Sequence, residues 1–406
     1  MGIIGAVIHR FPALRHQPFR RYIIGQTIAM TGGFASNVAM AWLAYRTTGS
    51  VALLGVLGFA LMAPSIIVSP IAGLLGDGGS RRRILMAVLG FVALNGLVLA
   101  ALTASDRITP SLLLLLAATR GVAFACEIPL RNALIGDLVR DRTVLPNAVA
   151  LHSTALNSAR FAGPALGGVL IGTWGEAACF LLHPITLLAV LVQLARIRTP
   201  PSPAPARAHA SFVRTYVEGW RYALSDPTIG PMLLGVFALG FGVSPYQHLM
   251  PAAVSASFGA HPELVGLFLS IAGVAALVAA VSMAAAGARR SYGRLAIAGN
   301  VAAAAGLGLF AATGSVSAAS VGMVLVGLGT NVQAMSTNIT IQLTVPEDRR
   351  SQVMSIYTAM FIGAMPLGCL FFGWVGQSIG APGALLAGAA LAAAGALLTA
   401  ARTPRD

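Results

Sequence analysis

Apolar residues in this chain run in long unbroken stretches, broken by short polar segments that carry arginine, glycine and proline. Roughly 20 apolar residues, at about 1.5 Å of helical rise each, cross about 30 Å of hydrocarbon. Twelve stretches meet that length and predict twelve membrane-spanning helices. They are Tyr22–Tyr45, Ala52–Leu75, Ile84–Thr103, Leu112–Leu134, Asn147–Thr173, Ala177–Ala195, Ile229–Ala253, Leu264–Gly287, Leu295–Thr313, Ala318–Leu343, Val353–Ile379 and Leu385–Ala400. A β-barrel is excluded, because its strands alternate apolar and polar residues and these runs do not.

Composition agrees. Of 406 residues, 57% are hydrophobic and 9% charged, with a mean hydropathy of +0.81. Soluble domains carry about 25% charged residues, so a water-soluble globular protein is ruled out. All 26 basic residues are arginine, and the formal net charge is +14. With the N-terminus in the cytoplasm, 21 arginines fall on that side, only Arg46 and Arg107 on the other, and Arg120, Arg131 and Arg160 inside spans. Cytoplasmic loops are the arginine-rich ones. Both termini are therefore expected inside, in a bacterial-type plasma (inner) membrane, and the high charge serves topology and not nucleic-acid binding. Gly2 to Ile8 is too short for a signal-peptide core. Cys126, Cys179 and Cys369 lie within apolar runs without metal-ligand spacing and read as packing residues.

The pattern breaks between Arg198 and Pro227, where Pro200, Pro201, Pro203 and Pro205 stiffen the chain. The organisation expected is a six-helix half over 1–200, a cytoplasmic linker over 201–225, and a second six-helix half over 226–406. Ser211 to Leu224 predicts an amphipathic helix, with Trp220 and Leu224 on the apolar face, lying on the inner leaflet or solvated as a linker. The halves repeat weakly. Asn132 and Asn338 are 206 residues apart, and Pro164 and Pro366 are 202 apart. Parallel repeats of this kind describe transporters that rock two halves about a mid-membrane cavity.

Three motifs carry a resemblance. After span two comes Gly73, then Asp77, Gly78, Gly79, Ser80 and Arg81 to Arg83. This resembles the signature loop of the major facilitator superfamily, with Gly78 in place of a basic residue and Ser80 in place of glycine. Span five carries Gly163, Pro164, Gly167 and Gly168, similar to the exporter motif of the superfamily's drug antiporters. Arg120 in span four, followed by Gly121, resembles the superfamily's fourth-span arginine motif. The resemblance covers nearly the whole chain and points to the branch of enterobactin exporters and macrolide efflux proteins. It implies an all-α fold of two six-helix halves, a loop (Gly73, Asp77, Arg81, Arg82) that latches a gate, and close packing of span five on the alanine-rich span eight.

Ionisable groups inside a membrane are expensive and usually functional. Arg120, Glu127 and Arg131 are seven and four residues apart, which places them on one face of span four. With Arg160 they make the substrate and proton-coupling candidates, joined by the polar residues Asn37, Gln247 and Asn338. Gln26, His248, Gln333 and Gln342 are further cavity candidates, while His183 beside Pro184 reads as a packing histidine. No Gly-Lys-Ser/Thr phosphate loop or metal spacing occurs. The function expected is a monomeric, cofactor-free, proton-coupled exporter of a drug or siderophore-like anion. An uptake permease of the same fold and a non-transporting receptor are the alternatives.

Overall fold

The structure is a computed structural model that describes residues 11–75, 81–139, 141–197, 212–285 and 291–402, with side chains described except at 70–75 and 212–218. The motif residue Asp77 lies outside the described residues. The described residues of all twelve predicted stretches are helical but for short turns, as at Ala63 and at Ser244 and Pro245. The helices are α1 (Gln17–Thr48), α2 (Val51–Met62), α3 (Pro64–Leu75), α4 (Arg81–Ala104), α5 (Pro110–Leu138), α6 (Leu145–Trp174) and α7 (Glu176–Arg196). After these come α8 (Phe212–Ser225), α9 (Ile229–Ala238), α10 (Tyr246–Phe258), α11 (Pro262–Ala285), α12 (Tyr292–Ala312), α13 (Val316–Thr344), α14 (Glu347–Thr358) and α15 (Ala364–Arg402). Short π-helical turns, Leu239–Val243 and Ala359–Gly363, join α9 to α10 and α14 to α15.

Local chemistry sets the ends. Thr109 accepts from the Leu112 backbone N–H to start α5, and Pro110 fills a position whose N–H has no helical partner. The Asp226 carboxylate accepts from the backbone of Thr228 and Ile229, both at 2.8 Å, where the chain bends by 98° between α8 and α9. Before α6, the Thr143 hydroxyl and backbone N–H both donate to Asp141, which holds that carboxyl below its usual range. Gly175 (φ 80°) separates α6 from α7, and Gly380 (φ 79°) breaks α15 in two. Glycine accepts this left-handed backbone without a Cβ clash.

Eight helical stretches among the described residues are long and apolar enough to cross a membrane, or nine if the bent pair counts as one. One of them, Glu347–Arg402, has 56 residues, too long for a single crossing, and Gly380 divides it into the two spans predicted. The helices α1 and α6, with 32 and 30 residues, also have the length. Their outer surfaces invert the soluble pattern: Ile67 and Leu397 are 70% and 71% exposed. Large apolar side chains turned outward fit a lipid solvent.

Two compact units result, one of residues 1–43 and 60–206, the other of residues 44–59 and 207–406. The first has a core of Phe19, Tyr22, Leu85, Leu89, Leu130, Leu134, Leu187 and Val190. In the second, Ala223 of α8 packs with Ile229, Leu233, Ile341, Val345, Val353 and Ile356, and Trp220 lies against them. Arg349 of α14 sits 4.9 Å from the Tyr222 ring centroid. Of the side chains described in this helix, Ala223 is buried and Trp220 half-buried against protein, while Leu224 is 46% exposed.

Candidate functional site

The face of α5 that carries Arg120, Glu127 and Arg131 turns into the first unit. Arg120 is 7% exposed. Its Nη1 donates to the Ser36 hydroxyl at 2.8 Å and its Nη2 to the Gly33 carbonyl at 3.1 Å, both on α1. His183 of α7 abuts the same spot, since a Cβ on Gly33 would stand 3.2 Å from its Nε2. Gly121 presents no side chain to the Ala60 and Leu61 carbonyls, so α5 approaches α2 closely just after the arginine. The hydrogen-bond partners of this buried guanidinium are neutral.

Two turns further on, Arg131 Nη1 donates to Glu127 Oε1 at 2.8 Å, with both side chains largely buried. Tyr22 of α1 lies within electrostatic reach of both, and His152 of α6 within reach of Arg131. Sequence reading missed Tyr22 and His152. The signal available was weak: each is an amphipathic residue near a helix end, where interface anchoring is the ordinary explanation. Tyr22 Oη, Arg131 Nε and His152 Nδ1 are buried without a protein hydrogen-bond partner.

Arg160 is exposed on α6. Depth along a span does not say which way a side chain points. The buried set is Arg120, Arg131 and Glu127. A further acid, Glu176, is buried in the first turn of α7.

At the end of α5, Arg81 Nη1 meets both carboxylate oxygens of Asp137 at 3.4 Å, and Arg82 donates to the Ile197 carbonyl. Asp137 was missed because the predicted span stops at Leu134, whereas α5 runs to Leu138. Gly73 lies in α3. In α6, Gly163 faces Thr31, Phe34 and Ala35 of α1, and a Cβ on Gly167 would stand 3.0 Å from the Ala35 backbone. Cys179 Sγ donates to the Gly167 carbonyl at 3.6 Å, and Pro164 and Gly168 are buried. Gly163 and Gly167 therefore pack on α1. The alanines of α11 serve another neighbour: Ala272 and Ala275 close on Gly327 of α13.

In the second unit, Asn338 Oδ1 accepts from Gln342 Nε2 at 2.5 Å, and Gln247 is exposed, as is Asn37 in the first unit. Gln333, Asn300 and Thr399 converge on Gly235 of α9. Their side chains bond the carbonyls of Met232, Gly235 and Pro231, respectively. Among the described residues no cluster of three metal-ligating side chains occurs.

A sequence profile of the family described as transmembrane secretion effector matches residues 8–405. The chain belongs to this family. It is a membrane protein of the major facilitator type, and its named relatives include transporters of two kinds. It is 26% identical over 257 residues to the staphyloferrin A transporter of Staphylococcus aureus, which covers 61% of this chain and 62% of that protein. It is 27% identical over 177 residues to the multidrug efflux pump Tap of Mycobacterium tuberculosis, covering 41% and 42%. The chain thus spans less than two thirds of the length of these curated relatives. Among solved structures, the nucleoside transporter NupG superposes with a TM-score of 0.74 at 13% identity over 95% of this chain and 100% of that one. A bacterial homologue of the iron transporter ferroportin gives 0.73 at 16% identity over 96% and 99%. These likenesses establish the major facilitator fold for this secretion-effector relative.

Proposed function

We propose that this transporter exports small anionic molecules in exchange for protons, by alternating access. Arg120 carries the reading. A cation buried with neutral partners is costly in low dielectric, and a ligand carboxylate or catecholate offsets that cost through paired hydrogen bonds to the guanidinium. Glu127, paired with Arg131, is the proton carrier. Exposed Asn37, Gln247 and Arg160, together with Asn338, add polar contacts at membrane depth. The loop of Gly73, Asp77, Arg81 and Arg82 latches a gate, and Gly163, Pro164, Gly167 and Gly168 keep α6 close enough to its neighbours to shift as one body. The names of the relatives support a siderophore-like anion or a drug as cargo. The protein works as a monomer in a bacterial inner membrane with both termini in the cytoplasm, without cofactor or nucleic acid.

The test reconstitutes the full chain in proteoliposomes and imposes a pH gradient. A carboxylate siderophore, a catecholate siderophore and ethidium serve as probes. The expected result is gradient-driven accumulation of an anion that Arg120→Ala abolishes. Preference for ethidium, or accumulation indifferent to the gradient, overturns the proposal.

A further inference from the structure

Three buried polar atoms without protein partners belong to the Glu127–Arg131 pair and to its electrostatic neighbours in the first unit. They are Arg131 Nε, Tyr22 Oη and His152 Nδ1, from α5, α1 and α6. Buried polar groups almost always have partners, so three together at the Glu127–Arg131 pair ask for an explanation. Tyr22 belongs to the same apolar cluster as Leu130, Leu134, Ala148 and Ala155, whose sequence neighbours include Arg131. Around Glu127, α5 also brings Arg120, and α3 offers the neutral Ser69, whose hydroxyl donates to the Ala125 carbonyl. From α4 the charged group is Arg81, already engaged with Asp137 ten residues along α5.

We infer that Tyr22, Glu127, Arg131 and His152 form a single proton-binding site in which Arg131 exchanges partners. This rests on the reading of Glu127 as proton carrier and names the residues that complete it. With Glu127 ionised, Arg131 holds the carboxylate, as the 2.8 Å contact shows. A proton taken up at a Glu127 oxygen removes the negative charge while Arg131 keeps its own. Left with a buried charge and a neutral acid, the guanidinium turns its N–H groups to the lone pair of neutral His152 Nδ1 and to the Tyr22 oxygen. Loss of the proton reverses the exchange. The two acceptors stabilise the protonated state, and they come from helices other than that of the acid. Uptake of one proton thus swaps a bond within α5 for bonds from α5 to α1 and α6.

Infrared titration of the full-length protein in phosphatidylethanolamine–phosphatidylglycerol vesicles tests this without any substrate. The carboxylic-acid band that disappears in Glu127→Gln reports the proton. His152→Ala and Tyr22→Phe each remove an acceptor and should lower the midpoint of that band by about one pH unit, tenfold in proton affinity. His152→Gln keeps an acceptor oxygen and should stay near wild type. Unchanged midpoints in both His152→Ala and Tyr22→Phe overturn the inference. So does a raised midpoint in His152→Ala, which would mean that His152 is itself a cation there. Failure of pH-driven transport with these shifts intact would instead sink the exporter reading alone.

Discussion

Arg120 offers a chemical test at the scale of one residue, because its two hydrogen bonds diverge to Ser36 and Gly33 from separate guanidinium nitrogens. Lysine keeps the charge but presents one nitrogen. In Arg120→Lys the apparent affinity for a transported anion should fall by roughly tenfold with the protein still folded, read as KM for uptake into inverted vesicles. The pair Arg81–Asp137 behaves differently. Its side chains are 15% and 19% exposed and 3.4 Å apart. A double-mutant cycle of Arg81→Ala and Asp137→Asn, followed by thermal unfolding in detergent, should give a coupling below about 1 kcal/mol, so any larger loss of transport reports gating. Arg120, Glu127 and Arg131 were legible in the sequence because charge stands out within an apolar run. Tyr22 and His152 were not, since their role depends on which helix lies opposite.

At the scale of the element, α6 meets α1 through missing side chains. Gly167→Leu must push Ala35 aside, and even Gly167→Ala tightens a 3.0 Å approach to its backbone. Overpacking of this kind costs about 1–3 kcal/mol. The leucine variant should reach the membrane, unfold at lower temperature and lose transport, while unchanged transport would show that the stripe tolerates bulk. Trp220→Ala should loosen α8 from α14 at a cost of about 2–4 kcal/mol, visible as faster proteolysis of the connector. Helix positions were legible from hydrophobic length alone. Partners were not: small residues say that something comes close without saying what, and nothing in the spacing of Gly163 and Gly167 pointed to α1. The amphipathic face of α8 was legible too, yet its cover, Ile341, Val345 and Ile356, lies more than a hundred residues away in sequence.

For the whole molecule, twelve apolar stretches and one sign of charge specify the fold class, because a bilayer admits few ways to bury a backbone. Orientation rests on arginine placement and is checked by reporter fusions. A fusion after Arg107 should report the external side and one after Arg198 the cytoplasm, and the reverse at either point breaks the twelve-span topology.

The seat of α8 bears on how this chain can be recombined. Trp220 and Ala223 belong to a surface completed by α13 and α14. A chimaera that joins the front of one relative to the back of another at Ser225 would graft a foreign strap onto a socket shaped for these two side chains. One that carries residues 212–225 along with the rear portion keeps the strap and its socket as a single heritable block, and is the junction that should yield folded hybrids.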